Sequence, residues 1–311
     1  MTQRLPLHPA SKSSLTPIYH VLSTPKKCSP ARKWKNLVTA PFRPHLPLTE
    51  EKMCARGRRW NSIVSGSPQD GTTEYSSDND VTPQVRAYFG LSDPKLTALP
   101  GNVLHQSREP ITGIHTPYLY IGQSYTMFAL HSEDYNALSL NYQHSGSPKA
   151  WRVCSPRDFS KLEDFVSATI PQNNIPFFPS PAGGGKSANS KCSQFIRHQS
   201  IFLPKQTLEA GGVRSWTTRQ TPGEMVVTWP LAYHEGWNEG VNVNEACGYG
   251  TKRWKKLFAE VVPPDGTGSP DGAGSNNNNN NANCHGTGMY RPCEGKCSGS
   301  DAPPIRLVYS E

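Results

Sequence analysis

Between Ile111 and about Phe258, short runs of aromatic and branched residues follow one another, broken by turns and by only a few helical stretches. Pro117–Ile121, Thr126–His131 and Ala137–Tyr142 each read as a strand rich in β-formers. Gly223–Trp229 and Val241–Asn244 read the same way. Residues 156–166 place Phe159, Leu162, Phe165 and Val166 on one face of a short amphipathic helix. Cys192–His198 and Thr251–Phe258 are expected to be helical. Many short strands with few helices predict a mainly β fold, a double-stranded β-helix of the jelly-roll or cupin type, with a few flanking helices.

The flanks have a different texture. Of 311 residues, 26 are Gly and 29 are Pro, and the hydrophobic share is 35%, low for a chain that is globular throughout. Residues 1–84 are rich in Ser, Pro, Thr and Lys, and are expected to be a largely disordered basic region. Residues 85–260 form the expected folded domain. Residues 261–311 form a low-complexity tail with an asparagine run from Asn276 to Asn281. No stretch reaches the roughly 20 apolar residues needed to cross a bilayer. The N-terminus lacks the apolar segment of a secretory signal. A soluble intracellular protein, without membrane contact, is expected. Its eight cysteines then suggest metal ligation or free thiols rather than a disulfide framework. The formal net charge of +8 suits an acidic partner such as nucleic acid, and equally suits plain solubility. The candidate nucleic-acid contacts are the N-terminal clusters Lys26-Lys27, Arg32-Lys33-Trp34-Lys35 and Arg56-Gly57-Arg58-Arg59-Trp60.

The motif with most chemistry in it is His131-Ser132-Glu133. On a strand, residues i and i+2 share a face, so the imidazole and the carboxylate aim at one point. One more histidine completes the facial triad of non-haem iron oxygenases, which leaves positions open for a chelating co-substrate and O2. His234, just beyond the predicted strand ending at Trp229, has the best context. His144 and His198 have no such strand-end setting. Alone, His-x-Glu with a distant His is a pattern that chance produces often.

The neighbouring segments are more specific. Thr116-Pro117-Tyr118-Leu119-Tyr120-Ile121-Gly122, Phe128–Asp134, Leu140–Trp151, Phe195–His198, Gly223–Pro230 and Tyr233–Asn238 resemble, in order and approximate spacing, the JmjC histone lysine demethylases. The likeness is greatest to the branch that acts on trimethylated lysine, and it covers roughly Gly113 to Trp254. The resemblance implies that His131, Glu133 and His234 bind Fe(II). Lys149 would pair with the distal carboxylate of 2-oxoglutarate, in a strong charge-assisted bond. Asn141 would hydrogen-bond in the same pocket, with Phe128 and Trp151 packing near it. The family also has an upstream tyrosine on that carboxylate, and Tyr88, in Tyr88-Phe89-Gly90, is the candidate here. Gly113, Tyr118 and Tyr120 match the methyl-lysine pocket, whose aromatic walls suit a weakly hydrated cation. Ala246 stands, with Cys247 and Gly248, where relatives often carry hydroxyl groups near the methyls.

Cys192 and His198 resemble half of a zinc site found in that branch. Cys293 and Cys297 are the candidate other half, a spacing compatible with tetrahedral zinc, with Cys284 and His285 as competitors. The JmjN segment of the relatives is not recognisable upstream. The expected function is a nuclear demethylase using Fe(II), 2-oxoglutarate and O2 on methylated lysine, in the histone H3 tail or another protein, with release of formaldehyde and succinate. A protein hydroxylase and a chromatin-binding module without turnover are the alternatives.

Overall fold

A computed structural model of the chain describes residues 2–4, 8–9, 18–20, 23–24, 31–40, 48–50, 72–104, 111–170, 196 and 200–259. Nine strands build its centre: β1 (Ser76–Asp80), β2 (Tyr118–Gly122), β3 (Met127–His131), β4 (Leu138–Gly146), β5 (Lys149–Cys154), β6 (Ser215–Gln220), β7 (Met225–Thr228), β8 (His234–Asn238) and β9 (Asn242–Tyr249). They form two antiparallel sheets, ordered β6-β5-β8-β3 and β7-β4-β9-β2-β1. This is the jelly-roll class expected from the sequence.

Alternation along each strand sorts side chains between the space enclosed by the sheets and their outer surfaces. On β2, Tyr120 packs with Tyr75 and Ala246, whereas Leu119 and Ile121 pack outward. On β5, Trp151 packs inward with Phe128 and Val226, whereas Cys154 faces outward into an aliphatic core. That outer core is completed by Leu162 and Val166 of helix α3 (Phe159–Thr169), the amphipathic helix read from the sequence. Phe159 stacks on Tyr233, with ring centroids 5.0 Å apart.

Two regions differ from the expectation. The segment assigned to an irregular N-terminus contributes structure. Helix α1 (Ala31–Thr39) buries Trp34 against Leu119, Ile121 and Val243, and β1 pairs with β2. Ile18 is fully buried in the core under the first sheet. β1 is Ser-Ser-Asp-Asn-Asp, an edge strand with no apolar alternation, so its own residues give no strand signal. The basic cluster Arg32–Lys35 lies on α1, where Lys33 pairs with Glu74 and Lys35 sits 4.6 Å over the Tyr88 ring. The clusters at 26–27 and 56–60 lie outside the described residues, as does the tail beyond 259. So do the candidate zinc residues Cys192, His198, Cys293 and Cys297.

The second difference concerns His234. It opens its own strand instead of trailing the strand that holds Val226 and Val227. Pro230 and Leu231, the latter at φ +64°, turn the chain between them. No described helix is long and apolar enough to cross a membrane.

Candidate metal centre

β3 ends at His131, β8 begins at His234, and the two residues are register partners. Their rings are 4.2 Å apart, centroid to centroid. Glu133 follows in extended backbone, two residues on from His131, and its Oε1 lies 3.4 Å from His234 Nε2. One ligand atom from each of the three lies within 4.8 Å of the others. His131 Nδ1 contacts Ala129 O and His234 Nδ1 contacts Ala232 O, each at 2.7 Å. Because a carbonyl only accepts, both Nδ1 atoms carry the proton, and both Nε2 atoms keep a lone pair that can bind a metal. This is the outer arrangement that orients metal-bound histidines. The sequence-predicted triad is thus brought together.

The same strands place the next layer. The β3–β8 ladder slips by one residue between the His131↔His234 and Phe128↔Gly236 pairs. This bulge lets Phe128 and His131, three apart, both face inward, with ring centroids 6.3 Å apart. A Cβ on Gly236 would lie 2.3 Å from the Phe128 ring and 2.2 Å from Ala150 O, so only glycine admits that packing. Lys149 enters from β5 with 0% exposure, and its Nζ has no hydrogen-bond partner among the described residues. It is ringed by Phe128, Tyr75 and Trp151 at 5.4, 5.6 and 5.7 Å. Burial alone pushes its ammonium down to about 7. Asn141 is held by Asn244 Nδ2, which donates to its Oδ1 at 3.0 Å, and Gln220 bridges the Asn141 carbonyl and the Trp151 indole. Phe128, Asn141, Lys149 and Trp151 therefore share the enclosed space with the triad.

Tyr88 does not. It is 38% exposed on helix α2 (Pro83–Phe89), edge-on to Phe89 and beneath the Lys35 ammonium. Tyr75, 2% exposed, stands beside Lys149 instead. It precedes β1, and only the pairing of β1 with β2 carries it inside. The sequence reading missed it because Glu74-Tyr75-Ser76-Ser77 shows no pattern to single out a buried aromatic.

Gly113, Tyr118, Tyr120 and Ala246 meet near the Tyr75 end. Tyr118 stands edge-on to Tyr120 at 6.5 Å, and Tyr75 is 6.3 Å from Tyr120. Gly113 has φ +83°, and a Cβ there would come within 2.3 Å of the Tyr118 ring. Burial is the main cause that raises the Tyr120 hydroxyl well above its ordinary range, and Asp78, Tyr75, Glu133 and Tyr118 add to it. Cys247, next to Ala246, faces the other side of the sheet with Leu96 and Leu140, and burial pushes its thiol up to about 12.

Two imidazoles and one carboxylate converge between the sheets of a jelly-roll domain, a ligand set compatible with the facial site of non-haem iron. Residues 118–249 match the JmjC domain family, described as a hydroxylase. Over 144 residues, 46% of its length, the chain is 35% identical to a probable lysine-specific demethylase 4F of Homo sapiens. The identity is the same, over as many residues, to lysine-specific demethylase 4B of Mus musculus and 4D of Rattus norvegicus. The matched segment makes up 20%, 12% and 25% of those three proteins, so the chain spans at most a quarter of their length.

Proposed function

We propose that this chain is an Fe(II)- and 2-oxoglutarate-dependent dioxygenase that demethylates methyl-lysine in histone tails, with the H3 tail as the first substrate to test. The carrying observation is Lys149: an ammonium at 0% exposure, without a hydrogen-bond partner among the described residues, in the same enclosed space as three side chains that could hold a metal. The rings of Tyr75, Phe128 and Trp151 favour such a charge only modestly, whereas burial disfavours it. A dicarboxylate entering the pocket supplies what it lacks.

His131, Glu133 and His234 would hold the metal through Nε2, carboxylate and Nε2. Lys149 would grip the far carboxylate of 2-oxoglutarate, with Tyr75 donating its hydroxyl to the same group. Phe128 and Trp151 would exclude water around that contact, which strengthens it. Asn141 would present an amide to the same pocket. Gly113, Tyr118, Tyr120 and Ala246 would enclose the methylated ammonium. When bound, the metal would bring O2, the oxidant, together with 2-oxoglutarate, which is oxidised to succinate and CO2 as an N-methyl group is hydroxylated; the hydroxymethyl group then leaves as formaldehyde. The likeness to lysine-specific demethylases supports this substrate class. A nuclear location and a zinc site using Cys192, His198, Cys293 and Cys297 belong to the same proposal.

The test is release of succinate and formaldehyde with methylated H3-tail peptides, for wild type and Glu133→Ala. Both products, lost in the variant, establish a demethylase. Succinate with a stably hydroxylated peptide and no formaldehyde assigns a protein hydroxylase. Neither product from a folded sample that binds the peptides assigns a reader of methyl-lysine without turnover.

A further inference from the structure

The polarity of one amide in the pocket beside Lys149 is dictated by the side chains that stand behind it. An asparagine can meet a cavity with its oxygen or its nitrogen, and its neighbours decide which. For Asn141 the deciding chain begins at Trp151, whose indole nitrogen only donates. It donates to Gln220 Oε1 at 3.0 Å. The other end of that amide agrees: Gln220 Nε2 lies 2.9 Å from the Asn141 backbone carbonyl and 3.1 Å from that of Glu224, and both carbonyls only accept. The Asn244 atom 3.3 Å from Gln220 Oε1 is therefore a donor, Nδ2. The same Nδ2 lies 3.0 Å from the side chain of Asn141, which meets it with Oδ1. Asn141 Nδ2 is left over, fully buried and without a hydrogen-bond partner among the described residues.

Asn244 lies on β9 two residues before Ala246, which packs with Tyr75 and Tyr120 between the sheets, so the two share the inner face. Asparagine is a poor strand former, and at 0% exposure its polar atoms cost free energy unless they are bonded. Its Oδ1 has no hydrogen-bond partner among the described residues. The loose ends of the chain are thus one oxygen, on Asn244, and one NH2 group, on Asn141. Only the second can bond an anion. An amide oxygen turned toward a carboxylate repels it, whereas an NH2 group donates to it in a charge-assisted bond. Resting on the proposed use of 2-oxoglutarate, we propose that Asn244 is a positioning residue for the co-substrate: it holds the Asn141 side chain by its oxygen, so that the NH2 group faces the pocket before the co-substrate arrives. Gln220 and Trp151 set the direction of that hold. The binding energy of the co-substrate is then not spent on turning the amide.

The experiment is a double-mutant cycle on 2-oxoglutarate affinity, read by anaerobic calorimetry on the full chain loaded with Fe(II). It runs wild type, Asn244→Ala, Asn141→Ala and the double variant. Asn244→Ala is expected to weaken 2-oxoglutarate about tenfold, the size of one lost hydrogen bond to a charged group, with iron affinity unchanged. In the Asn141→Ala background the same substitution is expected to change affinity less than about twofold, because no amide remains to be held. Should Asn244→Ala not fold, Asn244→Ser, with one O–H in place of two N–H groups, carries the same test with a smaller expected loss. Losses of equal size in both backgrounds mark a merely structural effect and overturn the role of Asn244, as does no loss in either. Both leave the use of 2-oxoglutarate standing. An iron-loaded wild type that does not bind 2-oxoglutarate overturns that reading of the pocket, and the role of Asn244 with it.

Discussion

The two faces of strand β5 hold the two most deeply buried cations among the described residues, and the fold treats them in opposite ways. Lys149 faces inward and has three aromatic rings around it but, among the described residues, no carboxylate within hydrogen-bond reach. Arg152, three residues on, faces outward. It donates to the Glu235 carboxylate at 2.7 Å, bonds the Leu203 carbonyl and pairs with Glu50. Glu235 in turn accepts from the Leu203 backbone N–H at 2.9 Å, and Trp237, on the same face of β8, donates its indole N–H to Leu48 O. The outer face is thus a closed ion cluster that ties residues 48–50 to the first sheet. The inner face is a cation to which no described residue supplies a counter-charge. A buried charge with protein partners belongs to the structure, and a buried charge without them points to a ligand.

Substitution of each cation by methionine separates these roles. Arg152→Met leaves Glu235 buried with its guanidinium partner removed, and should cost roughly 3–5 kcal/mol of stability, the range for breaking a buried pair. Lys149→Met removes a charge that burial disfavours and the surrounding rings only partly offset, and should leave the melting temperature unchanged or raised, while abolishing 2-oxoglutarate binding. Thermal unfolding with calorimetric titration checks both. Equal destabilisation by the two would dissolve the distinction.

The next effect sharpens the inner face. Tyr75→Phe should weaken 2-oxoglutarate binding about tenfold or more, as loss of a hydrogen bond to a charged group does. Tyr88→Phe should change it less than about twofold. If Tyr88 proved the sensitive position, the pocket drawn here would be misplaced.

A smaller and graded effect comes from protons. Without ligand the Lys149 ammonium titrates near 7, and a bound dicarboxylate raises that value by stabilising the charged form. The complex therefore takes up a proton above pH 7. Affinity for 2-oxoglutarate should be flat below that pH and should fall with rising pH above it, by up to tenfold per unit. Lys149→Arg, always protonated, should lose this slope even where it binds more weakly. Titrations from pH 6 to 9 decide it.

The sequence made the inner face legible wherever residues recur at fixed spacing on a strand. His131 and Glu133 needed only the two-residue period, and Tyr118–Ile121 and Phe128–Leu130 only their β character. Three things lay beyond such patterns. The bulge that turns Phe128 and His131 to the same side depends on how β3 pairs with β8, and local sequence does not encode that pairing. Tyr75 and Asp78 sit in a polar stretch that becomes an edge strand only because β2 offers it a partner. Lys149 and Arg152 lie in one run, Lys-Ala-Trp-Arg-Val-Cys, where periodicity puts them on opposite faces but cannot say which has a carboxylate waiting. The partners Glu50 and Glu235 are distant in the chain, and only the fold joins them to Arg152.

The most direct measurement is an anaerobic calorimetric titration of the full chain, first with Fe(II) and then with 2-oxoglutarate, for wild type and His234→Ala. Wild type should bind one iron and then 2-oxoglutarate more tightly than without iron, while the variant, still folded, loses iron affinity by about a hundredfold or more. A folded wild type that binds iron no better than His234→Ala would contradict the assignment of this site.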